Sequence, residues 1–181
     1  MLINTTEDYC SIKKGMLMAR QTFFSFRYKK DNWRAGIVRN SWVTKDKQKI
    51  AAGFFDSAEW EEVKKEDDSE IEKWIDEQLK GTTVTVVLIG ADTAGKKWIN
   101  YEIISSYKKG NGLLGIYVHQ LKDKDQKMST KGKNPFDNWT IKKDDKTVPL
   151  SSIYKTYDWV DDDGYNNMGT WIEDAAKAAG K

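Results

Sequence analysis

Apolar positions along the chain follow two different periods, and segments of the two kinds alternate. Short runs rich in β-branched and aromatic residues predict strands, and they lie at Gln21–Phe26, Ala51–Asp56, Thr83–Ile89, Leu113–Val118 and, as an edge strand, Tyr154–Val160. Apolar residues at helical spacing predict helices over about 32–43, Glu70–Lys80, Lys97–Lys109 and Trp171–Ala179. Asp31 is placed to cap the first of these helices, and Gly81 and Gly110 follow the ends of the second and third.

This alternation predicts a parallel sheet that is covered by helices on both faces. The run Thr83–Ile89 is nearly continuous in β-branched and aliphatic residues, as expected of a strand buried on both faces. The expected fold is therefore a flavodoxin-like three-layer α/β sandwich with a central, mainly parallel sheet. It forms one domain over 20–181 with a polar insertion at about 120–150, and residues 1–19 are expected to be a loosely held extension. Ligands bind such folds at the carboxyl ends of the strands.

Charge and composition exclude several classes of function. The 30 basic residues are interspersed with 28 acidic residues, which indicates a solvated surface and not the one-sided basic face of a nucleic-acid-binding protein. The single cysteine, Cys10, excludes an intrachain disulfide and fits a reducing cytosol. The longest strongly apolar run is far shorter than the roughly 20 residues of a membrane helix. We therefore expect a soluble cytoplasmic protein with neither nucleic acid nor a membrane as a partner.

Two clusters of residues near the predicted carboxyl edge suggest chemistry. Arg27 and Tyr28 follow the first strand, where a guanidinium can pair with a phosphate and a phenol ring can stack on a base. The alternative is a hydrophobic strand with a charged tip. Trp98 and Glu102 are four residues apart on one helix face beside isoleucines, so burial is expected to raise the pKa of Glu102. The alternative there is an exposed glutamate that packs on the tryptophan or pairs with Lys109.

The remaining candidates indicate no metal site. The run Asp161–Gly164 does not place ligands at the positions of a calcium loop and favours a turn and helix start. His119, the single histidine, follows a buried strand, and its role stays open between structure and site. The sequence has no Cys/His cluster of the kind that binds zinc. It also lacks the glycine-rich phosphate loops G-x-G-x-x-G and Walker A.

Several stretches resemble the TIR-like subunit of Thoeris antiphage systems, and together they run through about 19–172. They are FFSFRY (23–28), VRNSWVT (38–44), AGFFD (52–56), TVTVVLIG (83–90), KWINYEI (97–103), KGNGLLGIYVH (109–119), KGKNPFD (131–137) and SSIYKTYDWVDDDGYN (151–166). The W-x-x-x-E piece also resembles the catalytic helix of NAD-cleaving TIR domains. By this resemblance, Glu102 occupies the position of the catalytic glutamate.

The resemblance implies an enzyme that responds to phage infection. Such an enzyme cuts the nicotinamide–ribose bond of NAD and makes a cyclic ADP-ribose isomer, which activates a separate effector. The implied partners are NAD as substrate, a phage-derived trigger, the effector reached through the nucleotide and further copies of the chain when it is active. No metal or cofactor is implied.

The same resemblance suggests how the substrate is held. The aromatic walls would come from Phe26, Tyr28, Trp60 and Trp98, the diphosphate would meet Arg27 and Lys97, and Asp56 would bind a hydroxyl. A non-catalytic TIR-like adaptor and a plain NAD hydrolase remain as alternatives. A phosphoacceptor receiver domain is disfavoured, because its acidic residues are missing after the first strand and after Ile89.

Overall fold

Five parallel strands form the central sheet in a computed structural model that describes residues 20–45, 50–52 and 57–181. The strands are β1 (Gln21–Ser25), β2 (Ile50–Ala52), β3 (Val84–Ile89), β4 (Gly112–Tyr117) and β7 (Thr156–Asp158). Their spatial order is β2-β1-β3-β4-β7. All pairings are parallel, with Phe24 of β1 opposite Val86 of β3 and Val87 opposite Gly115 of β4.

Helices cover both faces of this sheet. They are α1 (Tyr28–Lys45), α2 (Ser57–Val63), α3 (Asp68–Leu79), α4 (Lys97–Lys109) and α5 (Gly164–Ala178). On one face, Val38 and Trp42 of α1 and Ile172 of α5 pack on Val86 and Leu88 of the sheet. The opposite face is covered by α3 and α4. The predicted three-layer α/β sandwich is therefore confirmed.

Burial explains why β3 is apolar at nearly every position. All six of its residues are buried, because helices contact it from both sides and β1 and β4 flank its edges. Glycine is required at Gly112, where a Cβ would lie 2.3 Å from the backbone oxygen of Ala175. This close approach lets α5 lie directly against the start of β4.

The segment predicted as a polar insertion forms a small structured unit. It contains two short 3-10 helices, Pro135–Asn138 and Leu150–Ser152, and an antiparallel hairpin of β5 (Thr140–Lys143) and β6 (Lys146–Pro149). Phe136 and Leu150 are fully buried against Ile99 and Ile103 of α4. The insertion therefore packs on the face of the sheet that α4 covers.

Some local predictions were wrong. Helix α1 begins at Tyr28, so Asp31 lies in its first turn and does not cap it. The Asp31 side chain is buried and accepts a hydrogen bond from Arg34 at 3.3 Å, and burial raises its pKa. The last helix begins at Gly164, seven residues before the predicted start.

Three predictions lie wholly or partly outside the described residues: the 1–19 extension, Asp56 and all but the first two residues of the strand Ala51–Asp56. The turn predicted at Asp161–Gly164 is present, with Asp163 in the left-handed region at φ 50° just before α5. None of the helices in the described ranges is both long and apolar enough to span a membrane.

Candidate active site

A cavity of about 260 Å³ opens at the carboxyl edge of the sheet, between the end of β1 and the first half of α4. It forms here because β1 ends at Ser25 and the chain turns directly into α1, while α4 starts after the loop that follows β3. The cavity brings together seven of the eight predicted site residues: Phe26, Arg27, Tyr28, Trp60, Lys97, Trp98 and Glu102. Asp56, the eighth, lies outside the described residues.

Among the described residues, Glu102 is the acidic side chain that lines this cavity, and it is almost completely buried, with 8% of its surface exposed. Its Oε2 accepts a hydrogen bond of 2.5 Å from the hydroxyl of Ser25. Burial raises the pKa of the carboxyl group to about 8, and the hydrogen bond from Ser25 opposes that rise. The alternative of an exposed glutamate paired with Lys109 is wrong, because Lys109 donates to the carbonyl of Thr82 and to Asn111.

Aromatic rings form a continuous row beside the carboxyl group. Phe26 and Tyr28 are stacked with their centroids 5.3 Å apart, and Tyr28 and Trp60 are 6.2 Å apart. Trp60 continues the row to Trp74 at 5.7 Å. Such a surface can stack on the planar rings of a ligand. Trp98 lines the cavity from α4.

Basic side chains line the same cavity, namely those of Arg27, Lys29, Lys64, Lys96 and Lys97. Arg27 lies 3.6 Å from Asp92, and Lys96 lies 3.9 Å from the same carboxylate. Lys97 pairs with Asp68, and its Nζ lies 4.6 Å from the centre of the Trp98 ring. An anionic ligand would therefore compete with Asp92 and Asp68 for the two predicted diphosphate contacts.

Sequence reasoning missed Ser25 and several residues of the lining: Phe24, Lys29, Lys64, Lys96 and Ile99. Ser25 and Phe24 belong to the FFSFRY motif, so their position at the end of a buried strand could have identified them as site residues. Lys96 immediately precedes α4. Lys64 has no such signal, because only the packing of the turn after α2 brings it to the cavity.

His119 does not line this cavity. Its Nδ1 lies 3.5 Å from Oδ2 of Asp158, which ends the neighbouring strand β7. Asp158 also accepts hydrogen bonds from the side chain of Gln120 and from the backbone N–H of Val160. Within the described ranges, no group of three or more His, Cys, Asp or Glu side chains is arranged to hold a metal ion.

A model of the family described as "Thoeris protein ThsB, TIR-like domain" matches residues 23–123, which is more than half of the chain. The chain belongs to this family. The matched part of this ThsB-family chain begins in β1 and extends past β4, and it includes every residue that lines the cavity.

A relative in Bacillus cereus (strain MSX-D12) supports the same assignment. It is 38% identical over 192 residues, an alignment that covers 86% of this chain and 100% of the relative. The relative bears the name "Putative cyclic ADP-D-ribose synthase ThsB1". Similarity therefore extends along the whole length of a ThsB-family relative.

Proposed function

We propose that this chain cleaves the nicotinamide–ribose bond of NAD and rejoins the ADP-ribose part as a cyclic isomer. The observation that carries the proposal is the buried carboxyl of Glu102 in a cavity with an aromatic wall and several basic side chains. These are the groups that a cationic ribosyl centre, planar bases and a diphosphate require. The printed name of the relative from Bacillus cereus supports the same reaction.

Glu102 has the central role in the proposed cleavage. When the C1′–N bond breaks, both electrons leave with nicotinamide, which departs neutral, and positive charge develops on the ribose. An ionised carboxylate stabilises such a charge far better in a buried site than in water. The pKa of about 8 leaves the carboxyl mostly protonated near neutral pH. The cationic nicotinamide ring of bound NAD favours the ionised form, so substrate binding and ionisation of Glu102 are coupled.

Ring closure requires a nucleophile from the substrate itself. An adenine nitrogen or a ribose hydroxyl attacks C1′, and a hydroxyl nucleophile transfers its proton to the ionised carboxylate of Glu102 in that step. Holding the adenine close to C1′ and excluding water favour this outcome. We assign this task to the row of Phe26, Tyr28 and Trp60 and to Trp98, which lines the cavity from α4. Where water reaches C1′ first, the product is ADP-ribose, as in a plain hydrolase.

We propose that the site around this cavity of about 260 Å³ is incomplete in the untriggered chain. We assign the nicotinamide ribose to the space beside Glu102 and the diphosphate to Arg27 and Lys97. Asp56 stays a prediction for a ribose hydroxyl. A second copy of the chain or a phage-derived trigger would complete the site.

We place this reaction in cytoplasmic antiphage defence, as the Thoeris family suggests. The enzyme would have little activity before infection, and its cyclic product would then activate a separate effector protein. Neither a metal nor a cofactor takes part, since NAD is the substrate and nicotinamide is already a good leaving group.

Mass spectrometry of nucleotides from phage-infected cells that express the chain tests the proposal. Wild-type protein should release nicotinamide and produce a cyclic isomer of ADP-ribose. Glu102→Gln should lower both by at least about a hundredfold, the loss expected when one group that stabilises the transition state is removed. The exposed Glu66 provides the matched control, and Glu66→Gln should behave as wild type.

Three other outcomes of this experiment would each change the proposed function. ADP-ribose without a cyclic isomer would replace cyclisation with plain hydrolysis. Protection from phage without any release of nicotinamide would indicate a non-catalytic adaptor. Wild-type turnover by a well-folded Glu102→Gln protein would remove Glu102 from the reaction.

A further inference from the structure

Ser25 is the last residue of β1, and its side chain is directed at the candidate catalytic group. The residue is fully buried, and its hydroxyl donates to Oε2 of Glu102 at 2.5 Å. The two residues are 77 positions apart in the chain, so the contact exists only because β1 and α4 pack together. Ser25 also immediately precedes Phe26, Arg27 and Tyr28, which line the cavity.

The Ser25 hydroxyl is a hydrogen-bond donor to one carboxyl oxygen of Glu102. Hydrogen bonds from a hydroxyl to an ionised carboxylate are stronger than bonds between neutral groups. A donor that points at a carboxylate favours its charged form. The Ser25 hydroxyl therefore affects the ionisation of Glu102 and does not only pack against it.

Basic side chains share the cavity with Glu102. Besides Tyr28, the ionisable groups on the cavity wall are Arg27, Lys29 and Lys64 from the side of β1, α1 and α2, and Lys96 and Lys97 from the α4 side. The pKa of Glu102 is shifted by burial in one direction and by the hydrogen bond from Ser25 in the other. The serine hydroxyl is thus the group that offsets part of the cost of ionising this carboxyl.

We propose that Ser25 is a positioning residue for Glu102, which fixes Oε2 so that Oε1 faces the substrate and which favours the ionised carboxylate. This inference rests on the proposed function. Because Phe26 and Tyr28 of the aromatic wall follow Ser25 closely in the chain, the end of β1 aligns the carboxylate with the surface on which the substrate stacks. A displacement of β1 would disturb both elements at once.

Ser25→Ala tests this role through the pH dependence of catalysis. We expect the kcat for NAD cleavage by the triggered enzyme to fall at least tenfold at neutral pH, with a much smaller change in KM. The limb of the pH profile that reports ionisation of Glu102 should move upward by about one to two pH units, as expected for loss of a hydrogen bond to a charged group. The same shift should appear in a ¹³C NMR titration of the Glu102 carboxyl in the unliganded protein.

Ser106→Ala is the matched control. Ser106 is a fully buried serine on α4, one turn after Glu102, and its hydroxyl accepts from Thr85 at 2.8 Å. This substitution should lower stability to a similar extent and leave the pH profile unchanged. If Ser25→Ala does not fold, Ser25→Cys keeps the side chain small while weakening the donor, and Ser25→Thr tests rescue by a second hydroxyl.

The outcomes separate this inference from the proposed function. An unchanged carboxyl titration in Ser25→Ala, or in Ser25→Cys, would overturn the role of Ser25. Loss of activity with Glu102→Gln beside a wild-type pH profile in Ser25→Ala would overturn this inference alone. Full activity of Glu102→Gln would overturn the proposed function, while the NMR titration would still report whether Ser25 controls the carboxyl.

Discussion

Replacing Glu102 with glutamine should remove a dependence of stability on pH that burial of this residue creates. The carboxyl titrates at about 4.5 when it is freely solvated and at about 8 in the folded protein. Between these values the unfolded chain has released the proton and the folded chain retains it. The free energy of unfolding of the wild type therefore falls as pH rises through this window. Glutamine has no proton to release, so this component disappears in the variant.

The magnitude follows from the two pKa values. Each pKa unit corresponds to about 1.36 kcal/mol, so the penalty on the wild type is roughly 1 kcal/mol at pH 5 and roughly 4 kcal/mol at pH 8. The unpaired amide hydrogens of the glutamine cost about 1–3 kcal/mol, but this cost does not vary with pH. Relative to the wild type, the variant should therefore gain roughly 3 kcal/mol between pH 5 and pH 8.

Urea denaturation at several pH values, followed by fluorescence of the protein's 8 tryptophans, measures this gain. Glu66→Gln, in which an exposed carboxyl is replaced, should parallel the wild type across the range. A constant difference between wild type and Glu102→Gln from pH 5 to pH 8 would contradict the reasoning. It would mean that Glu102 titrates like a solvated carboxyl and that water fills the site.

Three further predictions concern binding, regulation and packing. Arg27→Ala should raise the KM for NAD and leave kcat nearly unchanged, because loss of one charge-assisted contact to the remote diphosphate costs about 1.5–3 kcal/mol. Steady-state kinetics on the triggered enzyme measure both constants. A fall in kcat at constant KM would place Arg27 at the reacting bond. The purified protein without a trigger should turn over little NAD, and rapid turnover by a demonstrably monomeric sample would refute an incomplete resting site. Gly112→Ala should lower the free energy of unfolding by about 1–3 kcal/mol, because the new Cβ meets the backbone of Ala175. Gly36 lies in α1, where a Cβ would meet nothing within 4 Å, so Gly36→Ala should raise the free energy of unfolding by about 0.5–1 kcal/mol. Equal urea midpoints for the two glycine variants would argue against the close packing of α5 on β4 at Gly112.

The order and type of the main elements could be predicted from the sequence, because their signals are local. A nearly continuous run of β-branched and aliphatic residues predicted β3, and helical spacing with a terminal glycine predicted α4 over the range Lys97–Lys109 that the structure has. Alternation of the two element types then predicted the parallel sheet. The position of Glu102 on α4, near the carboxyl edge of the sheet, followed from the same local pattern.

Tertiary structure alone decided which partners these residues have. The periodic pattern placed Asp31 at a helix start but contains no information that Arg34 would pair with it in a buried network. The polar composition of the insertion likewise gave no sign that Phe136 would pack against α4.

Glu102 is the clearest example of the difference between what the sequence indicated and what the tertiary structure decided. Its neighbours in sequence allowed a partly buried carboxyl, yet its pKa depends on complete burial and on the Ser25 hydroxyl that β1 supplies from 77 residues away. Spacing determines the face of a helix on which a residue lies, because helix geometry repeats locally. Burial and hydrogen-bond partners depend on the order of strands and the packing of layers, which only the folded chain defines.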